Sequence, residues 1–203
     1  YYKYYKKCKD ISEQIINKEK PNLIISDEDF ASIAVAQEKK IPNVVITDIL
    51  ETKFTSGFGA MIEKKMNKTM KEMLRKADKV IIPQIGDNQD NIIRTGPIVR
   101  EIKKTRNEIR KEQNFDKKTI VLSVGGTDAG IFLIKQTISA IEKIQLDVDL
   151  VLVTGPEIKL KFNGSLRNLG FISNLHEIIF AADLVISLAG KSTIDESIIY
   201  GTP

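Results

Sequence analysis

Apolar residues fall in short blocks that alternate between helical and extended spacing. From Tyr1 to Lys20 the chain is polar, with Ile11, Ile15 and Ile16 at helical intervals. Pro21 predicts the end of that helix, because the residue before a proline avoids the α region. Leu23-Ile24-Ile25 follows as a short apolar strand. Phe30 to Lys40 predicts a helix carrying Ile33, Ala34 and Ala36, and Val44-Val45-Ile46 a second buried strand. Beyond a loop rich in Thr and Gly, Met61 to Lys76 predicts a long helix and Lys79 to Ile82 a strand, and Ile92-Ile93 leads into a turn at Gly96-Pro97.

Arg100 to Lys118 is charged and poor in apolar residues, a linker that includes a solvated helix. The alternation then restarts. Strands are predicted at Thr119 to Val124, Val148 to Val153, Leu169 to Ile172 and Leu184 to Ile186. Helices are predicted at Ala129 to Ile144, Leu175 to Ala181 and Ser192 to Tyr200. Strands that are apolar throughout and separated by helices predict α/β units with parallel sheets covered on both faces. The charged gap gives a first unit over 1–96, a linker over 97–117 and a second unit over 118–203. The chain opens at Tyr1 inside a helix and stops at the turn Gly201-Thr202-Pro203, so each unit is expected to be incomplete.

Composition narrows the function classes. The net charge of +4 suits anionic small molecules or an anionic membrane surface, without the dense basic stripe of a nucleic-acid binder. The lone Cys8 cannot form an internal disulfide and points to a reducing cytoplasm. A single histidine, His176, excludes multi-His metal sites, so no metal is expected. No apolar run approaches the roughly 20 residues that span a bilayer.

Three strand-to-helix turns are placed where open parallel sheets bind ligands. Ser123-Val124-Gly125-Gly126-Thr127-Asp128-Ala129-Gly130 joins a strand to a helix through a double glycine. Glycines let backbone approach a ligand, and free N–H groups at a helix start attract phosphate. It is neither a P-loop nor a dinucleotide fingerprint, and a tight turn capped by Thr127 or Asp128 explains it equally well. In Leu188-Ala189-Gly190-Lys191-Ser192-Thr193-Ile194-Asp195-Glu196, Ser192 and Thr193 offer N-caps. Glu196, read as lying in the first helical turn, either balances the helix dipole or accepts both hydroxyls of a ribose. Arg100, in Arg94-Thr95-Gly96-Pro97-Ile98-Val99-Arg100, either reaches a diphosphate or is solvated.

Together these segments are similar to a known family. Ala181-Ala182-Asp183-Leu184-Val185-Ile186-Ser187, followed by Gly190, Thr193, Glu196 and Gly201-Thr202-Pro203, resembles the donor-site signature of family 28 glycosyltransferases, the lipid II type and its archaeal relatives. Gly125-Gly126-Thr127 resembles that family's Gly-Gly-Ser loop, Gly96 to Arg100 its interdomain segment, and Gly170-Phe171-Ile172 the strand whose backbone reads uracil. The resemblance implies two Rossmann-like domains of the GT-B type. It implies an inverting, metal-independent and cofactor-free transfer from a UDP-sugar, such as UDP-N-acetylglucosamine, to a lipid-linked or glycan acceptor. By position, Glu196 would bind the ribose, and Thr127 with the Gly125-Gly126 backbone the diphosphate, helped by Arg100. Ile172 would bind uracil through its main chain, and Gly190, Lys191, Ser192, Thr193 and Asp195 would line the sugar and phosphate. Lys191 and Ser192 depart from the family's usual Ala and Leu.

The family's Gly-rich loop and histidine base would precede Tyr1. Asp27, in the run Asp27-Glu28-Asp29, is the candidate base within the chain, against a plain N-cap role for the run. A hydrolase or epimerase on the same fold, or a donor-binding subunit that needs a partner chain, are the alternatives. From Met61 to Leu74, Met and Ile residues run beside Lys64, Lys65, Lys68 and Lys71. That stripe either faces a core or lies peripherally on the inner face of a membrane.

Overall fold

The computed structural model describes residues 2–125, 128–155 and 166–203. The chain divides into two units, Tyr1–Pro97 and Ile98–Pro203. Each is built on a four-stranded sheet whose named strands all pair in parallel.

The first unit runs α1 (Tyr2–Glu19), β1 (Ile24–Asp27), α2 (Phe30–Glu38), β2 (Asn43–Ile46), α3 (Phe58–Lys76), β3 (Lys79–Ile82) and β4 (Ile92–Arg94). Its strand order is β1-β2-β3-β4, so each strand is laid beside the one before it. The core gathers Ile33 of α2, Val45 of β2, Leu74 and Ala77 at the end of α3, and Val80 and Ile82 of β3. The helix ends are set by polar side chains. Asp29 accepts from the Ala31 N–H at 3.0 Å and starts α2. The Asn91 amide donates to the Leu74 and Ala77 carbonyls at 2.8 and 2.7 Å, satisfying acceptors that a helix end leaves free. The α3 stripe divides along its length. Leu74 is buried and Met70 packs on the core, whereas Met61 is 70 % and Ile62 55 % exposed.

The second unit runs α4 (Arg106–Gln113), β5 (Thr119–Ser123), α5 (Asp128–Ile144), β6 (Asp149–Val153), β7 (Leu166–Gly170), α6 (Leu175–Ala181), β8 (Leu184–Ser187) and α7 (Lys191–Tyr200). Every residue of β5 is buried, as expected of a central strand. Alternate side chains serve opposite faces. Ile120 and Leu122 pack with Ile134 of α5, while Val121 packs with Ile109 of α4 and Ile178 of α6.

Two expectations change here. The helix in the charged segment is not merely solvated. A capping box between Thr105 and Glu108 opens α4, and Ile109 and Phe115 are buried in the core of the second unit. Few apolar residues suffice because Ile109 within the helix and Phe115 just past its C-cap Asn114 both reach that core. The third strand of this unit is displaced toward the N-terminus, to Leu166–Gly170. Gly170 ends it with φ +63°, a left-handed conformation that extended pairing does not continue through, so Phe171 and Ile172 lie in the following loop.

A single carboxylate ties the segment before β5 to β8. Asp183 accepts from the buried Thr119 N–H at 2.9 Å, from Arg110 and Lys118 at 3.1 Å each and from Arg106 at 3.2 Å. The two arginines also donate to the carbonyls of Ala181 and Ala182. Burial alone would raise the Asp183 carboxyl. The Thr119 N–H and the surrounding cations outweigh it and hold the group below its ordinary range.

Candidate functional site

The second sheet has the order β7-β6-β5-β8. From β5 the chain steps to β6 and β7, then returns to lay β8 on the other side of β5. That reversal falls at the carboxyl ends of β5 and β8, where an open α/β sheet usually has its ligand crevice. Ser123 and Ser187, the last residues of the two strands, are register partners. The two loops singled out in the sequence, after Val124 and after Ser187, therefore leave the sheet side by side.

In the first loop Gly125 adopts φ +63°, and its carbonyl accepts from the Gly155 N–H at 2.7 Å, joining the ends of β5 and β6. Gly130 has a packing reason. A Cβ there would lie 2.9 Å from the Val124 carbonyl oxygen, so only glycine lets α5 start this close to the strand. Gly126 and Thr127 lie outside the described residues.

In the second loop Ala189 sits at φ +58°, a left-handed conformation that is strained for a residue with a Cβ, and its N–H is held by the Ser187 hydroxyl at 3.1 Å. Gly190 is the N-cap of α7 and makes no side-chain cap bond. Ser192 and Thr193 are inside the helix, so neither is the N-cap expected of it. Glu196 is likewise one turn further in than its spacing suggested, with no acidic residue in the first turn. The dipole-balancing role therefore falls away, since that effect fades beyond the first turn. Asp195, on the same helix, is paired with Lys191.

Arg100 and Glu196 meet, although they lie far apart in sequence. Arg100 Nε donates to Glu196 Oε1 at 2.9 Å, Nη2 approaches Oε2 at 3.5 Å, and Nη1 donates to the Ser173 carbonyl at 2.9 Å. The Glu196 side chain is 4 % exposed and that of Arg100 47 %. The Tyr200 hydroxyl donates to the Arg100 carbonyl at 2.6 Å, so one turn of α7 grips both the side chain and the backbone of this residue. Burial and the Glu196 charge push the Tyr200 phenol up, which keeps its proton in place as a donor. His176 is close by. Burial, then the Arg100 charge, hold its imidazole below the ordinary value, and its Nδ1 is buried without a partner among the described residues.

Ile172, assigned to uracil, follows β7 in the same loop as Ser173, whose carbonyl Arg100 engages. Asp27 belongs to the first unit. The acidic run there splits by role. Asp29 caps α2, Glu28 accepts from the Asp48 N–H at 3.3 Å, and Asp27 ends β1 exposed. Glu28 escaped the sequence reading, because nothing local in the sequence announces that it binds the end of β2. Burial, then its neighbour Asp48, push its carboxyl up. Among the described residues no group of His, Cys, Asp and Glu could hold a metal ion, and no helix is long and apolar enough to cross a membrane.

Known proteins are similar to this chain in sequence and architecture. Residues 119–203 match the glycosyltransferase family 28 C-terminal domain. An uncharacterized glycosyltransferase of Methanopyrus kandleri is 23 % identical, over 96 % of this chain and 58 % of its own length. The Clostridium perfringens (strain SM101 / Type A) UDP-N-acetylglucosamine–N-acetylmuramyl-(pentapeptide) pyrophosphoryl-undecaprenol N-acetylglucosamine transferase is 31 % identical, over 91 % of this chain and 52 % of its own length. The chain thus spans little more than half of these relatives. In fold it is similar to the Staphylococcus aureus MnaA–UDP structure, with a TM-score of 0.69 at 15 % identity, over 99 % of this chain and 62 % of that one. The two sheets are the Rossmann-like units of the GT-B type, and residues 119–203 are similar to the C-terminal domain of glycosyltransferase family 28.

Proposed function

We propose that the chain forms the donor-binding part of an inverting, metal-independent glycosyltransferase. It takes a hexose from a UDP-sugar, with UDP-N-acetylglucosamine the leading candidate, and delivers it to a lipid-linked or glycan acceptor. The observation that supports this best is the placement of the glycine turn and the Glu196 helix on adjacent strand ends at the reversal of sheet order. In this reading Glu196 accepts the ribose hydroxyls, a task for an ionised bidentate acceptor. The backbone from Gly125 to Thr127 and the start of α5 hold the diphosphate. Ile172 offers main-chain groups to uracil, and the start of α7, from Gly190 through Lys191, Ser192, Thr193 and Asp195, lines the sugar.

Inversion needs a base to take the acceptor proton as the diphosphate leaves. Within this chain the candidate is Asp27, the carboxylate left exposed at the end of β1. The exposed Met61 and Ile62 beside Lys64, Lys65 and Lys68 suit an anionic membrane surface, where a lipid-linked acceptor would be met on the cytoplasmic side. Calorimetry of UDP binding with and without EDTA tests the central claim. Unchanged affinity is expected, and a strict need for added metal would overturn the metal-independent reading.

A further inference from the structure

The ion pair between Arg100 and Glu196 has a consequence for which ligands the crevice accepts. Both carboxylate oxygens of Glu196 face the guanidinium, and the side chain is 4 % exposed. A ribose diol that takes both oxygens of that carboxylate must compete with Arg100 for them. Arg100 is half-exposed and is held by the Glu196 carboxylate and one carbonyl, while its own carbonyl is fixed by Tyr200. Its side chain can therefore change partners about an anchored backbone by giving up the bonds to Glu196 and Ser173. Once it leaves Glu196 it is a charged fork that needs another anion close by.

We infer that Arg100 makes the site select phosphorylated nucleotides over bare nucleosides by exchanging partners. This rests on the reading that Glu196 binds the ribose. A nucleoside must break the ion pair and offers Arg100 nothing in return. A nucleoside diphosphate breaks the same pair and supplies phosphate oxygens to the released guanidinium. Arg100 is thus a competitor for one part of the ligand and a partner for another, and its removal should move the two affinities in opposite directions.

The test is calorimetric titration of the full chain with uridine, 2′,3′-dideoxyuridine and UDP, for the wild type and Arg100→Gln. Glutamine can still donate to one Glu196 oxygen but carries no charge for a phosphate. The expected result is that uridine binds Arg100→Gln about tenfold more tightly and UDP about tenfold more weakly, each the effect of roughly one charged hydrogen bond. Equal shifts of the same sign, or no shift in uridine affinity, would overturn the exchange. Dideoxyuridine separates the two ideas. If it binds the wild type as well as uridine does, the ribose reading itself fails. If uridine is preferred and Arg100→Gln does not improve its binding, only the exchange fails. Should Arg100→Gln unfold, side-chain ¹⁵N spectra of the wild type serve instead. The Arg100 Nε–H signal should be protected in the free protein, lose protection with uridine and regain it with UDP. A signal unmoved by either ligand would overturn the exchange.

Discussion

Among the described residues the two sheets have the same number of strands and the same parallel pairing, yet they differ in order. In the first, each strand is added beside its predecessor. In the second, β8 comes back to the far side of β5. The first sheet's carboxyl ends carry a helix cap and a carboxylate bound to the next strand, which are internal fastenings. The second sheet's ends carry a glycine turn, a strained alanine, and a buried carboxylate gripped by an arginine. Composition does not separate the two, since both ends are rich in acidic and small residues. The reversal of strand order does, because it alone leaves a gap between two outgoing loops.

The comparison can be broken most sharply at Asp183. Asp183→Ala leaves the buried Thr119 N–H without its acceptor and three cations without their shared anion. The second unit should lose about 2–3 kcal/mol. Native-state amide exchange should show faster exchange across β5, β6 and β8 while β1 to β4 keep their protection. An equal loss in both sheets would mean that the units do not behave separately. The next effect is functional. Glu196→Ala should weaken UDP binding by about 1–3 kcal/mol in calorimetry, whereas Asp27→Asn, at the corresponding edge of the first sheet, should leave it unchanged. Weakening by both would erase the distinction between the two edges.

Acid should also tell the units apart. Folding lowers the His176 imidazole, so as pH falls through its ordinary value the unfolded chain takes up the proton first, and stability drops. Asp183 is held low, so its contribution is present above the unfolded carboxyl value and is lost as pH falls through its folded value. Glu28 in the first unit runs the other way. Its raised carboxyl means that its burial costs stability as pH rises through the carboxyl range, and acid relieves that cost. Carbon-13 titration should find Glu28 above and Asp183 below the ordinary carboxyl values, and thermal melts of His176→Gln should lose the first step of acid destabilisation. The smallest effect is expected at Ala189. Ala189→Gly releases a left-handed strain and should raise stability by about 0.5–1 kcal/mol. A drop in melting temperature would show that the loop's strain is not carried by this residue.

Much of this architecture was legible from spacing alone. Short strands apolar throughout could only be buried in parallel sheets, and prolines and glycines marked most boundaries. Errors arose where tertiary context decided. The charged α4 looked solvated because its one buried side chain, Ile109, with Phe115 beyond its C-cap, is too little to signal a core face. Glu196 looked like a first-turn residue because Ser192 resembled an N-cap, whereas Gly190 takes that place. The joining of Arg100 to Glu196 left no local trace, since each residue type suits a solvated surface equally well. Asp183 is an instructive case. It is part of the signature by which the chain resembles family 28 glycosyltransferases, and the structure uses it to fasten α4 and β5.

Strand order also has a bearing on how the molecule comes to be folded. The first sheet can assemble by successive closure of neighbouring segments. The second cannot be completed until β8 finds β5, a closure that spans 64 positions between Asp183 and Thr119. Long closures of this kind slow folding, because the chain must be ordered before the contact rewards it. The pairing of β5 with β8, and with it the site at their carboxyl ends, should therefore be among the last parts to form. A refolding chain would bring these two strand ends together only at a late, slow phase, after much of its helical signal has returned.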